Sequence, residues 1–276
     1  MTPYLEGLLR TAFDAWLDAA RARCSPPLTF AEIRKGVQAL SSLYVERRGG
    51  GALASRAVDG AGKRAAFTTY YAPLHFLTAH YALQELAPAT LQGVGTVYDL
   101  GCGTGATGVA VAAACRNGAA LQRPDASLQV LGVSLQLLDL SGWALGEARH
   151  TARAFGLAAM SRRGALPGAL PKAGRGDVVV LGWAANELDE LAREAVLRGL
   201  EAAVARGARL VVLEPLARAA APWFADWAAR LAPLGVTEAL VKRAIERPTW
   251  IEQLDDASGL DHREVGARLL AGPAAR

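Results

Sequence analysis

The stretch "VYDLGCGTGATG", Val97 to Gly108, sets four glycines in eight positions directly behind an apolar run. Glycine is costly in regular structure because its unfolded chain has so much freedom to lose. Such a cluster therefore marks a place where backbone shape matters. The run "TVYDL" (96–100) is predicted as a strand, and a helix is predicted over 105–116 behind the glycines. In a strand–turn–helix unit of this kind the glycines allow a tight turn, close approach of the backbone to a ligand, and close packing of the helix.

The alternation continues along the chain. "VLGVSLQLLDL" (130–140) contains strand two, "GWALGEARHTARAFG" (142–156) is a helix closed by Gly156, and "LAAMSRR" is a short third strand. "DVVVLGW" (177–183) is strand four, "ELDELAREAVLRGLEAAVAR" (187–206) a helix closed by Gly207, and "ARLVVLEP" (208–215) strand five. Pro222 opens a helix that ends near Gly235, and "VTEALVKR" (236–243) and "VGARLLA" (265–271) predict a terminal antiparallel pair. Strands alternating with helices imply a mainly parallel sheet covered on both faces, and the unbroken apolar runs of strands four and five fit such a sheet.

The region before it reads as helical. Leu5, Leu8, Leu9, Ala12, Phe13, Trp16 and Leu17 recur at helical spacing, Pro26-Pro27 ends that segment, and Thr29 with Glu32 forms a capping-box pattern before a second helix. "RRGGGALASRAVDGAGKR" (47–64) is expected to be a loop, and 65–86 a further helical segment broken or started at Pro73. The expected organisation is a helical cap over 1–90 and an α/β ligand-binding domain over 91–276.

With 276 residues, 52% hydrophobic and 20% charged, the chain has the composition of a globular protein. Glu6, Asp14 and Asp18 interrupt the N-terminal apolar residues, so no signal peptide is expected, nor a membrane span, and the expected location is the cytoplasm. Cys24, Cys102 and Cys115 share no metal-ligand spacing and are expected as free thiols; the four histidines form no metal motif. The net charge of +4 suits a nucleic-acid partner, but a chain rich in arginine, alanine and glycine acquires that charge from base composition as well.

Three ligands use glycine-rich loops after a first strand. A nucleoside triphosphate needs Lys-Ser or Lys-Thr closing the loop, which is missing here. A dinucleotide needs Gly-x-Gly-x-x-Gly, and Gly103 to Gly108 fits that string. Asp99, two residues ahead of Gly101, weighs for the third, S-adenosyl-L-methionine, whose ammonium a carboxylate attracts and whose structure contains no phosphate. The pattern Asp99-x-Gly101-x-Gly103-x-Gly105 resembles motif I of the class I S-adenosylmethionine-dependent methyltransferases. That resemblance implies a Rossmann-like class I methyltransferase sheet, mostly parallel with a terminal antiparallel strand. It implies a cofactor held by Asp99, Gly101, Cys102, Gly103 and Gly105.

A second acid is wanted at the end of strand two for the ribose hydroxyls. Two alignments compete, Ser134 in "LGVS" and Asp139 in "LLDLSGWAL", with Leu140 beside the latter. Asp139 lies 34 residues beyond Gly105, and "RNGAALQRPDAS" (116–127) offers the extra connection. Asp139 is preferred; an acid there also suits a helix N-terminus.

The segments "DLSGWALGEARHTARAFGL" (139–157), "DVVVLGWAANELDELAR" (177–193), "LVVLEPLARAAAPWFADW" (210–227) and "GLDHREVGARLL" (259–270), with "LSSLYVERRG" (40–49), look like the family of the mitochondrial small-ribosomal-subunit methyltransferase-like protein and its bacterial relatives. This implies a link to small-subunit ribosomal RNA or ribosome assembly. Longer members carry a cysteine cluster associated with iron–sulfur or metal binding; residues 214–276 contain no cysteine, so no cluster or metal is expected here.

Methyl transfer needs an aligned nucleophile and sometimes a base. "GWAANEL" supplies Trp183, Asn186 and Glu187 after strand four, with Asn186 as a hydrogen-bonding group and Glu187 as a proton acceptor; both residues equally suit a helix start. Glu214, at the end of strand five, faces the substrate or pairs with an arginine. Tyr70, Tyr71 and His75 are candidates for the substrate side, with core packing as the simpler role. The acceptor is ribosomal RNA, the small subunit or a small molecule. A cofactor-binding assembly factor without turnover is the second reading, and a nicotinamide-dependent oxidoreductase the third.

Overall fold

Val178 to Leu181 and Leu210 to Leu213 are unbroken apolar runs, and successive side chains of a strand point to opposite faces. In the computed structural model, which describes residues 5, 7–24, 28–46, 59–122 and 132–274, each run is divided between two apolar clusters. Val178, Val180, Val211 and Leu213 enter one cluster, and Val179, Leu181, Leu210 and Val212 the other. The sheet is therefore buried on both sides.

Its strands are β1 (Thr96–Leu100), β2 (Ser134–Asp139), β3 (Ala158–Arg163), β4 (Asp177–Gly182), β5 (Arg209–Glu214), β6 (Thr237–Ala244) and β7 (Glu264–Gly272). They are ordered β3-β2-β1-β4-β5-β7-β6, with β7 antiparallel to both of its neighbours and the other pairs parallel. This is the Rossmann-like sheet, mostly parallel with a terminal antiparallel strand, that the sequence implied. The strand order reverses between β1 and β4, and in open sheets ligands bind outside the carboxyl ends of the strands at that point.

The helices are α1 (Gly7–Cys24), α2 (Phe30–Glu46), α3 (Ala61–Ala66), α4 (Ala72–Gln84), α5 (Ala106–Gln122), α6 (Gly142–Ala154), α7 (Glu190–Ala205), α8 (Phe224–Leu231) and α9 (Thr249–Ser258). Residues of α1, α2, α4, α5, α6 and α9 pack into the first cluster, and those of α7 and α8 into the second. Arg23 of α1 also pairs with Glu147 of α6 at 2.8 Å.

The helices differ from the sequence reading in several places. Part of the expected loop 47–64 is helix α3, which packs so closely on α2 that a Cβ on Gly36 would meet the Gly62 carbonyl oxygen at 2.1 Å; residues 47–58 lie outside the described residues. Pro73 lies in the first turn of α4, so the helix starts there as the sequence allowed; what the sequence did not show is the π-helical turn Phe67–Tyr71 that precedes it, with Ala72 N–H donating to the Phe67 carbonyl. The wider turn accommodates a ring that lacks an N–H and would crowd the carbonyl four residues back. Helix α9 was not anticipated: it is short, with Trp250, Ile251 and Leu254 as its buried apolar residues. Helix α5 also takes in residues 116–122 of the expected connection to strand two, and 123–131 lie outside the described residues.

Candidate functional site at the carboxyl edge of the sheet

β1 ends at Leu100, and the loop behind it holds Gly101, Gly103 and Gly105 at φ values of 67°, 52° and 76°. This left-handed region suits glycine. Close approach adds a second reason: a Cβ on Gly101 would lie 2.7 Å from that of Ala184, in the turn after β4. The loop and that turn thus touch across the point where strand order reverses. Cys102 is buried, and burial raises its thiol pKa well above the usual value.

Asp99 is 1% exposed, and its Oδ2 accepts from the Gly108 amide at 3.0 Å, in the first turn of α5. A Cβ on Gly108 would sit 2.4 Å from that oxygen, so the fourth glycine of the motif makes room for the carboxylate. Burial pushes the pKa of Asp99 up to about 7; the Gly108 hydrogen bond opposes this and the charge of Asp139 adds to it.

Asp139 ends β2 beside the same loop. Its Oδ2 accepts from the Gly103 amide at 2.9 Å and its Oδ1 from the Ser141 amide at 2.7 Å, while Ser141 caps α6 through Ala144. Burial raises its pKa against those amide bonds. Ser134 opens β2 opposite Thr96, at the amino edge of the sheet away from the glycine loop. Leu140 follows Asp139 with its apolar side chain 57% exposed.

Trp183 follows β4 with a φ of 58°, the one non-glycine residue at positive φ among those described. For a bulky side chain this stores on the order of 1–3 kcal/mol of strain and points to a positional demand. Its ring stacks on His75 at 4.2 Å with an interplanar angle of 13°. Phe67 stands edge-on to both His75 and Trp143, and a Cβ on Gly103 would contact the Phe67 ring at 3.7 Å. Phe67, Tyr71, His75, Trp143 and Trp183 are all half-buried, and Phe67 brings the aromatic group beside the glycine loop at Gly103. His75 is pushed down to about 4 by burial, with a smaller contribution from His262.

Asn186 and Glu187 lie in a 3₁₀ turn (Ala185–Glu187) ahead of α7. Asn186 does not cap that helix; Asp189 does, accepting from Ala192 at 2.7 Å. The Asn186 Oδ1 instead accepts from Trp223 Nε1 at 3.1 Å, which fixes the carboxamide plane. Glu214, at the carboxyl end of β5, is 0% exposed, and neither oxygen has a hydrogen bond of good geometry. Burial raises its pKa to about 8; the nearby amides of Asn186 and Ala185 pull it down, Glu187 pushes it up and Arg193 lowers it. Arg268 stands opposite Glu214 in the β5–β7 register but gives its guanidinium to Glu238 and the Ala221 carbonyl.

Tyr70 points elsewhere than Tyr71. Its hydroxyl donates to Asp255 of α9 and lies 3.0 Å from Nδ1 of His262. Asp255, His262, Phe67 and Trp143 were not singled out in the sequence. Tyr70 and Asp255 are 185 residues apart, and only the fold brings them together.

No protein-family model matches the sequence, and no curated protein matches it. Among solved structures the chain is similar to the mitomycin 7-O-methyltransferase, with 15% identity over 98% of this chain and 76% of that one, at a TM-score of 0.48. It is similar to the O-methyltransferase of tomaymycin synthesis from Streptomyces achromogenes, with 15% identity over 74% and 80% of the two chains, at 0.41. It is also similar to a precorrin 8w decarboxylase from Methanobacterium thermoautotrophicum, with 18% identity over 66% and 82%, at 0.41. At these identities and scores the likeness bears on neither substrate nor partner, and the ribosomal relationship implied by the sequence finds no support in it.

Proposed function

We propose that the chain is an S-adenosylmethionine-dependent methyltransferase whose cofactor lies between the loop after β1 and the turn after β4. One observation carries the reading. The Gly103 amide, which a dinucleotide fold aims at pyrophosphate, is taken by the Asp139 carboxylate, with Asp99 buried behind it. Two acids at this loop repel a phosphate and suit a ligand with an ammonium and a ribose diol.

Asp139 is oriented by two amides and keeps lone pairs for the ribose hydroxyls. Asp99, its pKa raised to about 7 by burial, is drawn toward its ionised form when an ammonium lies at the loop. Leu140 offers an open apolar surface to the adenine, and Cys102 and Trp183 line the same edge. When bound, the cofactor supplies an electrophilic sulfonium methyl group. Asn186, its Oδ1 held by Trp223, presents Nδ2 as a donor that orients the acceptor, and Glu187 stands in the same turn.

Titration calorimetry tests this. S-Adenosylmethionine and S-adenosylhomocysteine bind, NADH does not, and Asp139→Ala weakens both by at least about tenfold, or ~1.4 kcal/mol. Binding of NADH without S-adenosylmethionine would sink the reading. The ribosomal acceptor implied by the sequence predicts RNA binding that falls steeply with salt. Cofactor binding with no transfer to any acceptor would favour an assembly factor.

A further inference from the structure

Asp255 is 0% exposed and gathers four donors: the Tyr70 hydroxyl, His262 Nδ1 at 2.8 Å, the His262 amide at 3.0 Å and Arg247 at 2.9 Å. Burial works against its charge, but the hydrogen bonds from His262, Tyr70 and Arg247 hold its pKa below the usual value. Asp255 is therefore an anion, and the nitrogen facing it must carry the proton. This sets His262 in the tautomer with hydrogen on Nδ1 and a free lone pair on Nε2. The His262 side chain keeps 33% exposure, so Nε2 is not sealed into the core.

The topology puts this pair at the site. β7 runs antiparallel to β5, and Glu214 at the carboxyl end of β5 faces Arg268. The start of β7, and His262 two residues ahead of it, therefore lie beyond the carboxyl ends of the parallel strands. Tyr70 and Tyr71 are edge-on neighbours at 5.1 Å, and Tyr71 leads to His75 and the Trp183 stack. His75 is a poor rival as proton acceptor, because burial holds it neutral down to about pH 4.

We propose that His262, held by Asp255 with Tyr70 as a second positioning residue, removes the proton of a small acceptor bearing a ring hydroxyl. This rests on the methyltransferase reading above. As the O–H bond breaks, the proton passes to Nε2 and the oxygen bonds to the sulfonium methyl carbon. The C–S bond breaks with its electron pair left on sulfur. The imidazolium is stabilised by the Asp255 anion and returns its proton to water. Half-buried aromatic faces at Phe67, Tyr71, Trp143 and Trp183 suit a flat ring. The segment around His262 sets Glu252, Asp255, Asp256 and Asp261 against Arg247 and Arg263, an excess of carboxylates unfavourable to a polyphosphate such as RNA.

A crystal structure of the S-adenosylmethionine complex tests the placement without an acceptor. The sum of an attack distance and a hydrogen bond puts Nε2 roughly 6 Å from the methyl carbon. A separation beyond about 10 Å, with cofactor bound, overturns the proposal and leaves the methyltransferase reading standing; failure to bind the cofactor overturns that reading itself. Nitrogen-15 spectra of labelled histidine should show the Nδ1–H tautomer at His262, lost in Asp255→Asn; the opposite tautomer in the wild type counts against the assignment. With tritiated cofactor, catechol and total RNA serve as acceptor probes. Catechol should be labelled, and His262→Gln should lower that labelling at least about 100-fold while cofactor affinity stays within about twofold. Label on RNA alone, or on neither probe, overturns the acceptor class, and a His262→Gln protein that still transfers overturns the base.

Discussion

Gly108 and Asp99 explain each other. The carboxylate fits under the first turn of α5 only because position 108 has no Cβ, and it accepts the amide that this turn leaves unpaired. The string Gly-x-Gly-x-x-Gly alone could not separate a dinucleotide from S-adenosylmethionine; what distinguishes them is which groups already occupy the loop's amides. A methyl group at 108 must displace the carboxylate or the helix. Gly108→Ala is therefore expected to lower stability by about 1–3 kcal/mol, the usual cost of overpacking. Urea unfolding measures this, and an unchanged midpoint would show that the carboxylate moves aside freely. Trp183 makes the complementary point. A tryptophan held at a φ of 58° is invisible in sequence, because nothing in "GWAANEL" sets the bulky residue apart from its glycine neighbour as the one in the left-handed region.

The α3–π–α4 segment carries much of the aromatic wall, and its shape depends on one wide turn. Thr68 and Thr69, in that turn, return their hydroxyls to the Arg64 and Ala65 carbonyls of α3 at 2.9 and 2.8 Å. Tyr70, 0% exposed, then locks the turn to α9 through Asp255. Tyr70→Phe keeps the ring packing but takes a donor from a buried anion, so a loss of about 1–3 kcal/mol is expected. Denaturant unfolding at constant slope would show it, and a neutral result would mean that Arg247 and His262 suffice for Asp255. The central strands were legible because β4 and β5 alternate between two buried faces, and the glycine stops of the helices were legible because Gly156, Gly207 and Gly235 sit at positive φ. The π turn and α9 were not. The widened turn before Pro73 leaves no mark in the helical pattern, and α9 buries too few apolar residues to show a clear period. Asp139 could be read from its place at a strand end. The Asp255–His262 pair could not, since its position is set by a contact between distant segments.

Taken together, the described residues place two acids, Asp99 and Glu214, fully inside the molecule at the carboxyl ends of β1 and β5. Burial lifts their pKa values to about 7 and about 8, from ordinary values of 3.8 and 4.5. The native state therefore retains protons that the unfolded chain has already lost. Stability from these groups is complete below about pH 4 and is lost as pH rises through 7 to 8. Asp255 has the opposite sign, because its pKa is depressed; its contribution disappears only in acid below the ordinary carboxylate range, so it leaves the neutral window untouched. Glu214→Gln isolates one term, since the amide stays neutral at every pH and nearly matches the acid in size. Its unfolding free energy and that of the wild type are expected to run together near pH 4. Above it they should diverge in favour of the variant by on the order of 1 kcal/mol per pH unit, levelling off above about pH 8. Parallel curves from pH 5 to 9 would mean that Glu214 ionises normally in the folded protein. A negative charge would then stand beside Glu187, at the edge where the acceptor is expected to approach.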